Sequence, residues 1–248
     1  MSSPPDIVLG AGLYETVRVD AGLIRFGRRH LARMAASASA LGLPAPDEEQ
    51  FVRAVRDGLE GGPVVRVTLH RGDAGGALLA GEGRAAVGNE PVQVTTLTGW
   101  YAPGYLLREH KLTSHFHGVW ARRQAQQRGF DDALLVARDG AVGEGSNGNV
   151  VMVESGALVT PPIDGLLPGV MRDALIRTAS TSGIAVREQR LTLAQLRTSD
   201  GALMTSAPRG PYEIASIDGT PLRPVAPALL AQLRAGIEDL ARAGSLAL

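Results

Sequence analysis

The chain has 248 residues, 44% of them apolar and 20% charged, with 25 basic and 25 acidic side chains that cancel to a formal net charge of zero. That size allows one large domain or two smaller ones with a sizeable core, and the balanced charge argues against a nucleic-acid binder, which carries a basic surplus or stripe. No cysteine is present, so disulfides, thiolate metal sites and thiol nucleophiles are excluded. No apolar run reaches the length of a membrane-spanning helix, and the start MSSPPDIVLG lacks the charged lead and apolar stretch of a secretion signal. A cytoplasmic protein with no membrane or nucleic-acid partner is expected.

In chain order, residues 12–26 (GLYETVRVDAGLIRF) alternate around VDAG and predict a β-hairpin. RRHLARMAASASALGL has helical spacing and stops at Gly42, Leu43 and Pro44; APDEEQFVRAVRDGLEGG follows as a second helix with an acidic first turn. PVVRVTLHRG and PVQVTTLTG predict strands on either side of a Gly/Ala-rich loop at 72–86, and GWYAPGYLL at 99–107 predicts a linker. Beyond it come a helix (GVWARRQAQQRG), a strand–turn–strand (DDALLVARDGAVGEG), a hairpin (NVVMVESGALVTPP) and a helix with Pro168 near its start. Strands IAVREQRLT, ALMTSAP and PYEIASIDG precede a closing helix, VAPALLAQLRAGIEDLARAG. Strands and helices mix in both halves, which favours two α/β or α+β domains over a doubly wound sheet.

Lys111 is the single lysine among 25 basic residues. A stray survivor of drift toward arginine is one explanation. Chemistry offers another: arginine stays charged at any accessible pH, whereas a desolvated lysine can lose its proton and attack a carbonyl. A Schiff-base lysine is therefore a position arginine cannot fill. Pyridoxal 5'-phosphate (PLP) on such a lysine needs two further parts, a carboxylate for its pyridine nitrogen and a cradle for its phosphate. Glu144, in VGEGSNGNV, ends a predicted strand, and a carboxylate there would keep a pyridine nitrogen protonated. In LLPGVMRDALI, Gly169 precedes a helix whose first turn carries Val170 and Met171, and their N–H groups and the helix dipole make an anion site. His110, His115 and His117 surround the lysine, but no third ligand stands out in context, so no metal is expected.

With these motifs in hand, the sequence resembles the class IV (fold type IV) PLP-dependent enzymes: branched-chain and D-amino-acid aminotransferases, (R)-selective amine transaminases and 4-amino-4-deoxychorismate lyase. The likeness rests on GLYETVRV, RRHLARMAASASALGLP, HKLTSHF, residues 129–162, LLPGVMRDALI and LMTSAPRGPYEIASIDG, which stand in family order over most of the chain. The resemblance implies a small N-terminal α/β domain, placed by the linker at 1–98, a larger C-terminal PLP-binding domain at 108–248, and an active site in the cleft between them. It implies a homodimer acting on a small amino or keto substrate. By position, Lys111 would be the cofactor lysine and proton shuttle and Glu144 the partner of the pyridine nitrogen. Arg33, Gly169, Val170, Met171 and Ser206 would hold the phosphate, and Asn149 would hold the loop after Glu144. Tyr14, Phe116, Ala207 and Arg209 would line the substrate pocket.

The sequence departs from the family's patterns. Phe116 stands where branched-chain enzymes carry a tyrosine, and HRGDAGGALL lacks the D-enzyme's arginine and histidine after RG. The segment around Arg209 is similar to the lyase branch, with Thr205 in place of an asparagine. The expectation is an aminotransferase, with 4-amino-4-deoxychorismate lyase as the alternative and a non-enzymatic small-molecule binder as the second.

Overall fold

The structure is a computed structural model that describes residues 9–72, 74–101 and 104–248, apart from the side chains of Trp100 and Tyr101. The lead before Leu9 and two residues of the predicted linker, Ala102 and Pro103, lie outside the described residues. The chain gathers into two compact units. One comprises the residues up to Val87 with His110–His115 and Asp239–Leu248; the other comprises Gly88–Glu109 and Phe116–Glu238.

In the first unit, strand β1 (Leu13–Asp20) turns into β2 (Leu23–Ile24) as an antiparallel hairpin. Ala21 and Gly22, with φ of 49° and 74°, take the left-handed conformations that a two-residue turn between twisted strands requires. Helix α1 (Gly27–Ala40) follows, then α2 (Glu48–Gly58), which opens on a capping box between Asp47 and Gln50. Strands β3 (Val64–Arg71) and β4 (Ala77–Arg84) complete an antiparallel sheet, with the closing strand Leu246–Ala247 on the far edge beside β2. One sheet face, carrying Leu13, Val17, Val65, Val67 and Leu69, packs with Met34, Phe51 and Val55 of the helices into a core. The alternate positions of β1 and β3, among them Tyr14 and Arg66, point to the opposite face.

Strand β4 corrects the loop expected at 72–86. Its Gly/Ala composition reads as a connector, yet it pairs with β3 along its whole length. The glycines are there because α2 lies against them. A Cβ on Gly81 would stand 1.8 Å from the Ala54 carbonyl oxygen, and one on Gly83 would stand 2.0 Å from that of Gly58. Close helix–strand approach, rather than turn chemistry, sets this composition.

The second unit starts with β5 (Val92–Tyr101), so the segment expected as linker begins as strand. A single 3₁₀ turn, Leu106–Glu109, follows, and then α3 (Phe116–Gln127). Next come β6 (Asp132–Ala137), β7 (Ala141–Gly145), β8 (Asn149–Glu154) and β9 (Ala157–Thr160). Helix α4 (Val170–Thr181) leads to β10 (Val186–Glu188) and β11 (Leu191–Thr192), which divide the one strand expected there. A short helix α5 (Leu193–Thr198), absent from the sequence reading, precedes β12 (Ala202–Ser206), β13 (Gly210–Ile217), β14 (Thr220–Pro221) and α6 (Pro227–Ala243).

The strand order β8-β12-β13-β5-β6-β7, with a further pairing of β7 to β8, closes a six-stranded ring. Pairings β13–β5 and β5–β6 are parallel and the others antiparallel. All six residues of β6 are buried: Leu134 and Val136 join the cluster of Val94, Val150, Met152 and Met204, while Ala133 and Leu135 pack with Ala121 and Ala125 of α3. The ring closes at one residue pair, Glu144 opposite Asn149.

Candidate active site

Lys111 is held by backbone contacts to the first strand. The Tyr14 amide donates to the Lys111 carbonyl at 2.8 Å, Leu13 and Leu112 form an isolated bridge, and the Thr113 amide donates to the Gly12 carbonyl at 2.8 Å. The Lys111 side chain rests on an aromatic face, with Nζ 4.3 Å from the centroid of the buried Tyr14 ring. The Arg66 guanidinium also lies on that ring, 4.0 Å from its centroid, and the His115 ring is tilted against it at 6.0 Å. The Arg66 Nε is buried and has no hydrogen-bond partner among the described residues. Unpaired buried donors are costly, so this nitrogen is left with unused hydrogen-bonding capacity.

On the other face of the same strand, Glu15 interrupts the apolar row between Leu13 and Val17. It is 1% exposed and accepts from Arg33 Nε at 2.7 Å and from a terminal Arg33 nitrogen at 2.6 Å; His30 Nδ1 lies 2.7 Å away. Burial alone would raise the Glu15 carboxyl, but the charges and hydrogen bonds of Arg33 and His30 outweigh it and hold it at about 2. Burial likewise pushes the His30 imidazole below its ordinary value. Arg33, expected to reach a phosphate, is thus locked two-pronged onto Glu15 in its own unit.

In the second unit, Asn149 is the hub. Its backbone pairs with Glu144 across β7 and β8 and with Thr205 across β8 and β12. Its side-chain amide donates to the Leu167 carbonyl at 3.0 Å and lies 3.5 Å from Glu144 Oε2. Gly169 presses against it so closely that a Cβ would stand 2.0 Å from Asn149 Oδ1. One asparagine therefore brings together the strand of Glu144, the strand ending at Ser206 and the loop before α4. Gly169 caps α4 without a side-chain hydrogen bond, so the first-turn N–H groups, those of Val170 and Met171 among them, depend on an outside acceptor. The buried hydroxyl of Thr205, the residue paired with Asn149 across β8 and β12, has no partner among the described residues. This donor set fits a phosphate, and Glu144 fits a ring nitrogen.

Glu144 is 9% exposed and accepts from Arg108 at 2.8 Å through Oε1. His117, in the first turn of α3, is held down to about 4 by burial and then by the charge of Arg108. The Ser206 hydroxyl bonds the buried Tyr212 phenol, which burial pushes up to about 12. Ala207 lies in the turn between β12 and β13.

Two of the expected pocket residues, Arg209 and Phe116, have these surroundings within this unit. The Arg209 guanidinium donates to the Gly88 and Glu90 carbonyls, both at 2.7 Å, and stacks 3.7 Å from the Tyr212 ring centroid. It fastens the loop that leads into β5. Phe116 opens α3 with 67% of its surface exposed and joins neither apolar cluster of its unit. His110 accepts or donates through Nδ1 at 3.0 Å to the Ser37 hydroxyl of α1.

Three residues escaped the sequence reading: Arg66, Arg108 and Glu15. Two signals were available. A glutamate sits on the apolar face of an alternating strand, and an arginine sits on the polar face of the next; each needs a partner that the local sequence does not supply.

The profile of the family described as amino-transferase class IV matches residues 12–217. The chain belongs to the class IV aminotransferases. A Methanocaldococcus jannaschii protein provisionally named a branched-chain-amino-acid aminotransferase is 27% identical over 232 residues, 86% of this chain and 81% of that one. A Legionella pneumophila structure provisionally titled 4-amino-4-deoxychorismate lyase superposes with a TM-score of 0.86 at 25% identity, over 96% of this chain and 95% of that one. A Mycobacterium tuberculosis aminotransferase of hypothetical assignment, in a PLP-bound form, gives a TM-score of 0.84 at 25% identity over 98% and 93%. The mixed α/β architecture is that of the fold type IV enzymes.

Proposed function

We propose that this chain is a PLP-dependent aminotransferase that moves an amino group between an amino acid or amine and a keto acid, with Lys111 as its reactive amine. PLP would supply an aldehyde that condenses with amines and a ring that withdraws electrons from the carbon bearing the substrate's nitrogen. The chain's own residues then divide the work. Lys111 Nζ takes the proton from that carbon and returns it at a new position. Glu144 holds the ring nitrogen, and the amides of Val170 and Met171 with Ser206 and Thr205 hold the phosphate. Arg33 is assigned to the phosphate by the family pattern, through whatever capacity Glu15 leaves it. Tyr14 lines the substrate pocket, and Arg66, with its orphaned Nε, receives a substrate carboxylate.

The observation that carries this reading is the Asn149 hub. Glu144 and the α4 N-terminus, singled out separately in the sequence as the two parts PLP requires, meet on one side chain. The test is optical and then chemical. Purified protein supplied with PLP should show the yellow band of a lysine-bound cofactor, bleached by borohydride, and a panel of amino donors should convert it to the pyridoxamine form. A protein that stays colourless with added PLP refutes the proposal.

The second reading is 4-amino-4-deoxychorismate lyase, favoured by the near-complete superposition on the Legionella structure. The two share Lys111 as base and diverge afterwards. A protein that binds PLP, is converted by no donor and yet releases pyruvate from aminodeoxychorismate would establish it. We also propose a homodimer, as the family resemblance implies; Tyr105, Leu106 and Phe116 of the second unit, 53%, 69% and 67% exposed, are apolar side chains that a partner surface would cover. Light scattering should give twice the chain mass.

A further inference from the structure

The carboxylate assigned to the cofactor does not stand alone. Arg108 reaches Glu144 Oε1 at 2.8 Å, and the two side chains are only 8% and 12% exposed. Arg108 comes from the 3₁₀ turn Leu106–Glu109, which is itself pinned: its amide donates to the Tyr105 carbonyl at 3.0 Å, and Glu109 accepts from the Gly165 amide at 3.3 Å. Asn149 attends the other oxygen, Oε2, at 3.5 Å, which is long for a hydrogen bond. Glu144 thus sits in a fixed frame whose charged member is an arginine three residues before the lysine. His117 also feels the charge of that arginine.

We propose that Arg108 is the positioning residue for Glu144, holding it as an oriented anion so that a proton shared between this carboxylate and the cofactor's ring nitrogen lies on the nitrogen. The physical reason is competitive. In a hydrogen-bonded pair the proton rests on the partner with the greater affinity for it. A buried carboxylate without a counter-ion draws protons strongly, because ionisation in a poorly hydrated site is costly. A guanidinium on one of its oxygens removes that cost and weakens its hold. Remove the guanidinium and Glu144 keeps the proton, or swings away. Either way the ring loses its charge and with it the ability to draw electrons from the substrate carbon. The arginine would therefore act on chemistry without touching substrate.

This inference rests on the reading of Glu144 as the ring-nitrogen partner, and its test separates the two. Wild-type, Arg108→Met and Arg108→Lys proteins are loaded with PLP isotopically labelled at the ring nitrogen, and the NMR shift of that nitrogen is read at neutral pH. The wild type should show a protonated ring, Arg108→Met a shift toward the neutral pyridine value, and Arg108→Lys a partial return. In the same proteins kcat should fall about 10- to 100-fold in Arg108→Met, the range seen when the support of a binding ligand is removed, with KM little changed. A Glu144→Gln background guards against a folding artefact. There the further change Arg108→Met should leave the shift where Glu144→Gln alone put it, since no carboxylate remains to be positioned. An unchanged ring-nitrogen shift in folded Arg108→Met, or additive effects in the double variant, overturns the inference while the PLP reading stands. Failure of the wild type to take up PLP overturns the reading beneath it.

Discussion

The surroundings of Lys111 and of Glu144 are built on opposite plans. Lys111 lies on an irregular segment tied to β1 by backbone bonds alone, and its amine meets an aromatic face, with no hydrogen bond or ion pair to any described residue. Glu144 lies in a strand at the closure of a ring, with an arginine on one oxygen and an asparagine near the other, and that asparagine is fixed in turn by the loop before α4. The contrast agrees with the roles proposed for the two groups. A side chain that gives up one bond and serves as a proton carrier cannot be netted in strong polar contacts. One that holds a ring nitrogen in place gains from every support it receives.

The largest effect expected from breaking this contrast is at the amine. Lys111→Ala should lower turnover by roughly ten-thousandfold or more, since it removes the proposed attachment point and proton carrier. PLP should still bind, without the borohydride-sensitive bond, because most of the proposed contacts to its phosphate and ring nitrogen, those of Glu144, Val170, Met171, Thr205 and Ser206, lie in the second unit. Dialysis followed by absorbance measures this directly. Retained turnover would remove Lys111 from the chemistry.

A second test reaches the polar network on the other face of β1. The Glu15 carboxyl is held at about 2 in the folded protein, against an ordinary value of 4.5. A carboxylate whose value is lowered by folding stabilises the protein above its unfolded value, and that contribution is lost as the pH falls through the folded value. His30 adds to the trend, because burial lowers its value and the unfolded chain takes up its proton first. Stability should therefore be flat near neutrality, start to fall below about pH 6.5, and fall more steeply between pH 4.5 and about 2. The loss from Glu15 is on the order of 3 kcal/mol. In Glu15→Gln the steep acid limb should flatten and the neutral-pH protein should already be less stable, since Arg33 and His30 lose their anion. Urea midpoints across the pH range read both. An acid limb that persists in the variant would assign it to other carboxylates.

Much of the fold was legible because local chemistry and tertiary packing agree. The hairpin at Ala21–Gly22, the acidic first turn of α2 and the helix stop after Ala40 follow from turn and helix-terminus rules over a few residues. Strand β4 was not legible, because its glycines answer to a helix some 25 residues earlier. The site divides in the same way. Lys111, Glu144 and Gly169 stand out by residue type and neighbours. Arg33 with Glu15 and Arg108 with Glu144 are pairings over 18 and 36 residues, which no local pattern encodes. Arg209 is a conspicuous motif residue whose guanidinium also donates to the Gly88 and Glu90 carbonyls, partners more than a hundred positions away that no local pattern indicates.

The smallest effects, and the sharpest comparison, come from two glycines that look alike in sequence. Gly81 and Gly169 each leave no room for a methyl group, the first against the backbone of α2 and the second against Asn149. Alanine at either position should cost about 1–3 kcal/mol of stability through overpacking, read as a lowered melting temperature. Their effects on cofactor should part. Gly81→Ala strains a strand and helix away from Lys111 and Tyr14, so PLP affinity should stay near that of the wild type. Gly169→Ala pushes on the asparagine that joins Glu144 to the proposed phosphate-binding turn, so PLP affinity should fall along with stability. Equal losses of affinity in the two variants would mean that general loosening, rather than displacement of Asn149, governs cofactor binding. A fall confined to Gly169→Ala identifies the hub as the part of the second unit that sets the site.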